Sequence, residues 1–128
     1  MALPVTSLYA ALLTLLVLVL ANLVSARRGH TGISILHGDD MGLALAIRRH
    51  GNLIENLPLA LILIGLCEVA DLGRAWLHLM GLVLVMARVA HVAGLSAHRP
   101  TATLRIAGGV GTQAVMLGAA GWLLWAGA

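Results

Sequence analysis

The chain has 128 residues, of which 60% are hydrophobic and 10% are charged, and its formal net charge is +3. This length fits one domain, and the composition is that of an integral membrane protein rather than of a soluble domain. The positive charge comes from eight arginines that flank apolar segments, and lysine is absent. The basic residues therefore indicate membrane topology and argue against nucleic acid as a partner.

Four apolar segments follow one another, at about residues 4–26, 41–69, 74–97 and 102–126. At about 1.5 Å of rise per residue, each can cross a hydrocarbon core of about 30 Å as a helix. No basic residue precedes the first segment, and it is longer than the apolar region of a signal peptide, so we expect a retained transmembrane helix. Because the connections are short, the sequence predicts an all-α integral membrane protein, a single domain folded as an antiparallel four-helix bundle.

The arginines indicate how the bundle is oriented. Six of the eight lie near one end of the predicted bundle, and these are Arg27, Arg28, Arg48, Arg49, Arg99 and Arg105. At the other end only Arg74 appears, beside Glu68 and Asp71. The positive-inside tendency therefore predicts that both termini lie on the non-cytoplasmic side.

The second segment carries polar side chains at helical spacing. Arg48, Asn52 and Glu55 stand at i, i+4 and i+7, which places them within about 60° on one face of a helix. A charged side chain at the bilayer centre costs at least about 2.5–3.5 kcal/mol. We therefore expect these three groups to face one another, a partner helix or a wet cavity.

The third and fourth segments add cations to the same end. Arg88 and His91 stand at i and i+3, and Arg105 opens the last segment. Buried arginines then outnumber Glu55, the one acid deep in the second segment. An excess of buried cations favours an anionic ligand. The alternative is an internal salt-bridge network in which Glu55 pairs with Arg88 or Arg48.

The fourth segment also carries small residues along one stripe, which consists of Ala107, Gly111, Ala114, Gly118 and Gly121. Small residues let helices approach closely in lipid, so the stripe predicts either an oligomer interface or packing within one bundle. The six histidines lack the spacing of a zinc motif, so we predict no metal site. Cys67 is the single cysteine, which excludes an intrachain disulfide and favours a packing role.

The stretch "RRHGNLIENLP" resembles the second-helix signature, R-x-H-x-N-x-x-E followed by proline, of the MAPEG family of membrane-associated proteins in eicosanoid and glutathione metabolism. The stretches "NLVSARR", "ARVAHVAG" and "LRIAG" are similar to the other helices of that family, in the same order. The resemblance spans essentially the whole chain. It implies a homotrimer with ligand sites between subunits, and glutathione as a co-substrate near the cytosolic side. The short first connection and the absence of Phe suggest a bacterial-type member of the inner membrane.

The family's glutathione-binding positions fall on six residues of this chain, namely Arg27, Arg48, Asn52, Glu55, Arg88 and His91. Glu55 is expected to hold the amino group of the peptide. Arg105 matches the arginine thought to stabilise the thiolate, and a nearby cation does favour that form of a thiol. The chain departs from many catalytic relatives at Leu95, where they carry a tyrosine.

Three classes of function are compatible with this pattern. The first is a glutathione transferase or peroxidase that uses the thiolate on a lipophilic electrophile from the bilayer. The second, which Leu95 favours, is a non-catalytic membrane protein that binds a lipid or another anion between subunits. The third is a small transporter or proton relay using Glu55 and His91, and it ranks last because no broken helix or repeated half is present.

Overall fold

The computed structural model describes residues 2–96 and 102–127, and within them it contains four α-helices. These are α1 (Pro4–Thr31), α2 (Met41–Val69), α3 (Arg74–Gly94) and α4 (Thr103–Ala126). Each helix is long and apolar enough to cross a membrane. The predicted all-α fold with four membrane-spanning helices is therefore confirmed. The third helix ends at Gly94, three residues before the end expected from the sequence, because Leu95 takes an extended conformation that cannot continue the helix. The connection with Arg99 and Pro100 lies outside the described residues.

The first helix continues five residues beyond the end expected from the sequence. It ends where Gly32 adopts a left-handed conformation, with φ of 69°, and donates its backbone N–H to the carbonyl oxygen of Arg28 at 2.9 Å. The basic residues at 27 and 28 suggested a loop, but arginine has high helix propensity and continues the helix. A nine-residue connection, 32–40, then leads to α2, whose first turn is capped by the side chain of Asp40.

The core lies between the helices and is almost entirely aliphatic. Leu13, Leu53, Ile64, Leu77 and Leu84 are among its fully buried members. Many other large apolar side chains are exposed on the outer faces of the helices. Such surfaces would promote aggregation in water, but in a bilayer they meet hydrocarbon, which is the solvent that the composition predicts.

The close contact between α3 and α4 depends on Gly108 rather than on the predicted stripe of small residues. A Cβ atom at Gly108 would lie 2.6 Å from the backbone nitrogen of His91, and closer still to the carbonyl oxygen of Ala87. Of the stripe, only Gly111 faces α3 closely, and the other four members are exposed. The stripe therefore contributes little to packing within one chain.

The end of the bundle that carries the N-terminus of α1 is held by side chains from other helices. The carboxylate of Glu68 accepts hydrogen bonds from the backbone N–H groups of Val5 (2.9 Å) and Thr6 (2.8 Å). Glu68 thereby takes the place of an N-cap side chain, because Leu3, at the N-cap position of α1, has no side-chain acceptor. The Tyr9 hydroxyl donates to the carbonyl oxygen of His78 at 3.0 Å. We call this the opposite end, and the end with the cluster of arginines the basic end.

Candidate functional site

A cleft of about 220 Å³ opens at the basic end, between the first turns of α2 and α4 and the residues after α3. Its lining consists of Met41, Ala44, Leu45, Arg48, Leu95, Ser96 and Arg105. The cleft therefore brings together two of the predicted site residues, Arg48 and Arg105, from different helices. Both carry a guanidinium group, so the cleft is suited to an anion.

Two of the three residues in the predicted polar stripe of α2, Arg48 and Glu55, lie on the outer surface of one chain, whereas Asn52 is half-buried. Arg48 Nη1 and Glu55 Oε1 are 3.1 Å apart, and both side chains are more than half exposed, at 59% and 56%. Of the two expected partners, Glu55 therefore pairs with Arg48 and not with Arg88. The two residues share a helix face and stand two turns apart, so their side chains meet only along the outside. The interior face of the same helix is filled by Leu53 and Leu57.

Arg88 is the buried cation of the site, with only 2% of its surface exposed. Its Nη1 donates to Oδ1 of Asn52 at 3.2 Å, and its Nη2 donates to the carbonyl oxygen of Gly108 at 3.1 Å. Its Nε has no hydrogen-bond partner, and within the described part of the chain no carboxylate lies within ion-pair distance. A buried guanidinium neutralised by no acid is costly, so its charge favours an anion nearby.

His91 lies one turn beyond Arg88 and is also buried, at 8% exposure. Its backbone packs against Gly108, the residue that receives the hydrogen bond from Arg88. The tight contact of α3 with α4 therefore buries His91 and Arg88 within the bundle, and neither lines the cleft itself. Both residues stand out in the sequence because polar side chains are rare in such an apolar segment, and their role in ligand binding stays a prediction.

Arg49 also contributes to the wall of the cleft, a role that the sequence did not predict. Its Nη2 and Nε donate to the carbonyl oxygen of Leu95 at 2.8 and 3.2 Å. Leu95 follows the last residue of α3 and lines the cleft. Arg49 thus fixes the wall beside Arg48 and Arg105. The last carbonyl groups of a helix lack donors within that helix, so an arginine side chain from another helix is a suitable partner for them. Only the packing of the helices shows that Arg49 meets the C-terminus of α3.

The predicted site residue Arg27 lies elsewhere in the chain. It lines a separate cleft of about 180 Å³ between α1 and α2, together with Leu45 and Arg49. Its guanidinium pairs with Asp40 at 3.3 Å. The backbone N–H of Leu43 and the guanidinium of Arg27 hold the pKa of Asp40 below its usual value. Within one chain, Arg27 is therefore not brought together with Arg48 and Arg105.

An apolar groove of about 410 Å³ lies farther along the same pair of helices, α2 and α4. Its lining consists of Leu59, Leu63, Gln113, Met116, Leu117 and Ala120. Leu59 follows Glu55 by four residues, so the groove continues the polar stripe of α2 towards the opposite end. The surface formed by α2 and α4 thus carries guanidinium groups at the basic end and apolar side chains farther towards the opposite end. Within residues 2–96 and 102–127, no three His, Cys, Asp or Glu side chains are close enough to share a metal ion.

These features define a class: an integral membrane protein of four helices with an arginine-lined cleft at one end. Comparison with known proteins identifies the family. The sequence model of the MAPEG family matches residues 6–125, and the chain belongs to that family. The predicted family is therefore confirmed.

Two proteins similar to this chain are both named inner membrane protein YecN, from Escherichia coli strains K12 and O6:H1. Each is 32% identical over 90 residues, which cover 70% of this chain and 69% of the relative. Together with the four apolar helices, this similarity supports a bacterial-type member in the inner membrane. No solved structure matches the chain.

Proposed function

We propose that the protein is a membrane glutathione transferase or peroxidase, in which the thiolate of glutathione reacts with a lipophilic electrophile. The observation that carries the proposal is the shared cleft of Arg48 and Arg105, and the buried charge of Arg88, which donates to Asn52 of α2, supports it. Glutathione has two carboxylates and an amino group. Arginines suit the carboxylates, and Glu55, exposed beside Arg48, suits the amine.

The proposal includes a homotrimer with the ligand between subunits. The cleft of one chain, at about 220 Å³, is smaller than the roughly 300–1,000 Å³ of usual ligand sites. A neighbouring copy would enclose it further. Such a copy could also supply Arg27, which lies outside the cleft of its own chain. The cluster of arginines favours the cytoplasmic side for the cleft and the non-cytoplasmic side for both termini.

The proposed chemistry needs a thiolate and a route for the electrophile. A guanidinium beside the thiol favours loss of its proton to solvent, and we assign this role to Arg105. The thiolate sulfur then forms a bond to an electrophilic carbon, while a leaving group departs with its electron pair or the adduct takes up a proton. In the peroxidase form, a hydroperoxide is reduced to an alcohol and water while two glutathiones become the disulfide. The apolar groove between α2 and α4 offers the electrophile a path from the bilayer.

Glutathione binding by the detergent-solubilised protein tests the proposal. We expect saturable binding that weakens at least tenfold in Glu55→Gln, and a fall in thiolate absorbance near neutral pH in Arg105→Ala. Arg74→Gln is the matched control, because it removes one arginine at the opposite end. Thermal unfolding of each variant separates loss of a contact from loss of the fold. Absence of saturable binding by the wild type would contradict the proposal.

A second function is a non-catalytic protein that binds an amphiphilic lipid. It is favoured by Leu95, which supplies no hydroxyl to the cleft, and by the adjoining apolar groove. A fatty acid could place its carboxylate at Arg48 and Arg105 and its chain along Leu59 and Leu63. Fatty-acid binding without glutathione binding would favour this function.

A further inference from the structure

The connection between α1 and α2 exposes two large apolar side chains away from the membrane-spanning helices. Ile35 is 77% exposed and Leu36 is 74% exposed, which places them among the most exposed apolar residues described. We call these two residues the apolar tip. They lie in the nine-residue connection 32–40, among residues that are mostly polar or glycine. Two adjacent apolar side chains at the edge of a membrane-spanning bundle are suited to a partner less polar than water.

The position of the apolar tip is set by hydrogen bonds. Nη1 of Arg28 donates to the carbonyl oxygens of both Ile33 and Leu36, each at 3.0 Å. Leu36 has a φ of 56°, in the left-handed region that a leucine rarely adopts. The guanidinium of Arg28 thus holds a backbone conformation that turns the side chain of Leu36 outward. An unstructured connection would show neither feature.

The level of the connection follows from the length of α1 and from an ion pair. With 28 residues, α1 is about 42 Å long and exceeds a hydrocarbon core of about 30 Å, so its basic end reaches the headgroup region. The pairing of Arg27 with Asp40 at 3.3 Å brings the end of the connection back to the last turns of the same helix. Met41, the next residue, is apolar and 62% exposed. The connection therefore lies along the boundary between headgroups and hydrocarbon.

We propose that the apolar tip inserts into the leaflet at the basic end and anchors this connection to phospholipid. The partner is the boundary of the acyl chains, with Ile35 and Leu36 in hydrocarbon and Arg28 at the depth of the phosphates. Two side chains are too small for a specific protein interface, which buries about 1,200–2,000 Å². This role goes beyond the proposed function, because it does not depend on glutathione.

Site-directed labelling in vesicles tests the proposal. Cys67→Ala removes the native cysteine, and Ile35→Cys or Leu36→Cys then receives an environment-sensitive fluorophore. Asp39→Cys is the matched control, because it lies in the same connection and is also exposed. We expect nitroxides on lipid acyl chains to quench the labels at 35 and 36 at least threefold more than the label at 39. Aqueous iodide should show the reverse order.

Two results would overturn the proposal. One is iodide access at positions 35 and 36 equal to that at 39. The other is protection of 35 and 36 from both quenchers, which would indicate that protein covers the apolar tip. The role of Arg28 is tested by adding Arg28→Gln to the Leu36→Cys protein, where lipid quenching should fall by half or more. Arg74→Gln is the matched control, and equal quenching in the two double variants would refute that role.

Discussion

The polar groups at the two ends of the bundle have different kinds of partner. At the opposite end, Glu68 accepts hydrogen bonds from two backbone N–H groups of α1, and Tyr9 donates to the backbone of His78. At the basic end, Arg88 is buried with neutral acceptors only, and Arg48 pairs with Glu55 on the outer surface. The polar groups at the opposite end thus hold helices together. At the basic end, the guanidinium of Arg88 is paired with no carboxylate of the described residues, so its positive charge is retained.

This difference shows how to separate structural from functional polar groups in a membrane. The charge or hydrogen-bonding capacity of a structural group is satisfied by other groups of the same chain. Its removal should therefore lower the stability of the fold and leave ligand affinity unchanged. A functional group has a charge or a hydrogen-bonding capacity that the chain satisfies only in part. Its removal should therefore lower ligand affinity more than the stability of the fold.

The largest effect is expected from Gly108→Ala, which adds a methyl group where α4 meets the backbone of α3. Overpacking costs about 1–3 kcal/mol or more, and here backbone atoms must move. We expect a lower unfolding temperature in detergent and loss of glutathione binding, because Arg88 donates to the Gly108 carbonyl. Gly109→Ala is the control, since its Cβ would meet no atom within 4 Å. Equal unfolding temperatures for the two variants would disprove the tight contact.

An intermediate effect is expected from Glu68→Ala at the opposite end. It removes the acceptor for the N–H groups of Val5 and Thr6, and loss of an N-cap typically costs about 0.5–2 kcal/mol. We expect thermal unfolding at a lower temperature and glutathione affinity within twofold of the wild type. Asp71→Asn, an exposed acid at the same end, should change neither. A large loss of affinity in Glu68→Ala would show that the two ends are coupled.

The smallest effect is expected from replacing Asp40. This acid lies at the basic end, and its hydrogen-bond and ion-pair partners belong to the same chain. Because its pKa is lowered in the folded protein, the carboxylate stabilises the fold at neutral pH, and this contribution is lost as the pH falls through the lowered pKa. Asp40→Asn keeps a capping side chain but loses the charge. Its unfolding temperature should be slightly lower than that of the wild type at pH 7 and should converge with it in acid. Asp39→Asn, which removes the exposed neighbouring acid of the same connection, is the control and should unfold at the wild-type temperature at pH 7.

Much of the fold could be predicted from the sequence, and so could the face of α2 that carries its polar residues. The length of each apolar segment predicts its helix, and helical spacing places Arg48, Asn52 and Glu55 on one face. The end of α1 was predicted five residues early, because a change in polarity marks the edge of the membrane and not the end of a helix. The role of Arg49 was missed, because its acceptor, the carbonyl oxygen of Leu95, comes from a distant part of the chain.

The sequence by itself determined the class of protein, the four helices and the end at which the cations gather, since hydropathy, rise per residue and helical periodicity are local properties. The tertiary structure decided which groups meet. It paired Glu55 with Arg48, directed Arg88 to Asn52 and Gly108, and separated Arg27 from the cleft. These choices depend on the distance and rotation between helices. Close approach at Gly108 sets that geometry for α3 and α4, and no local pattern specifies it.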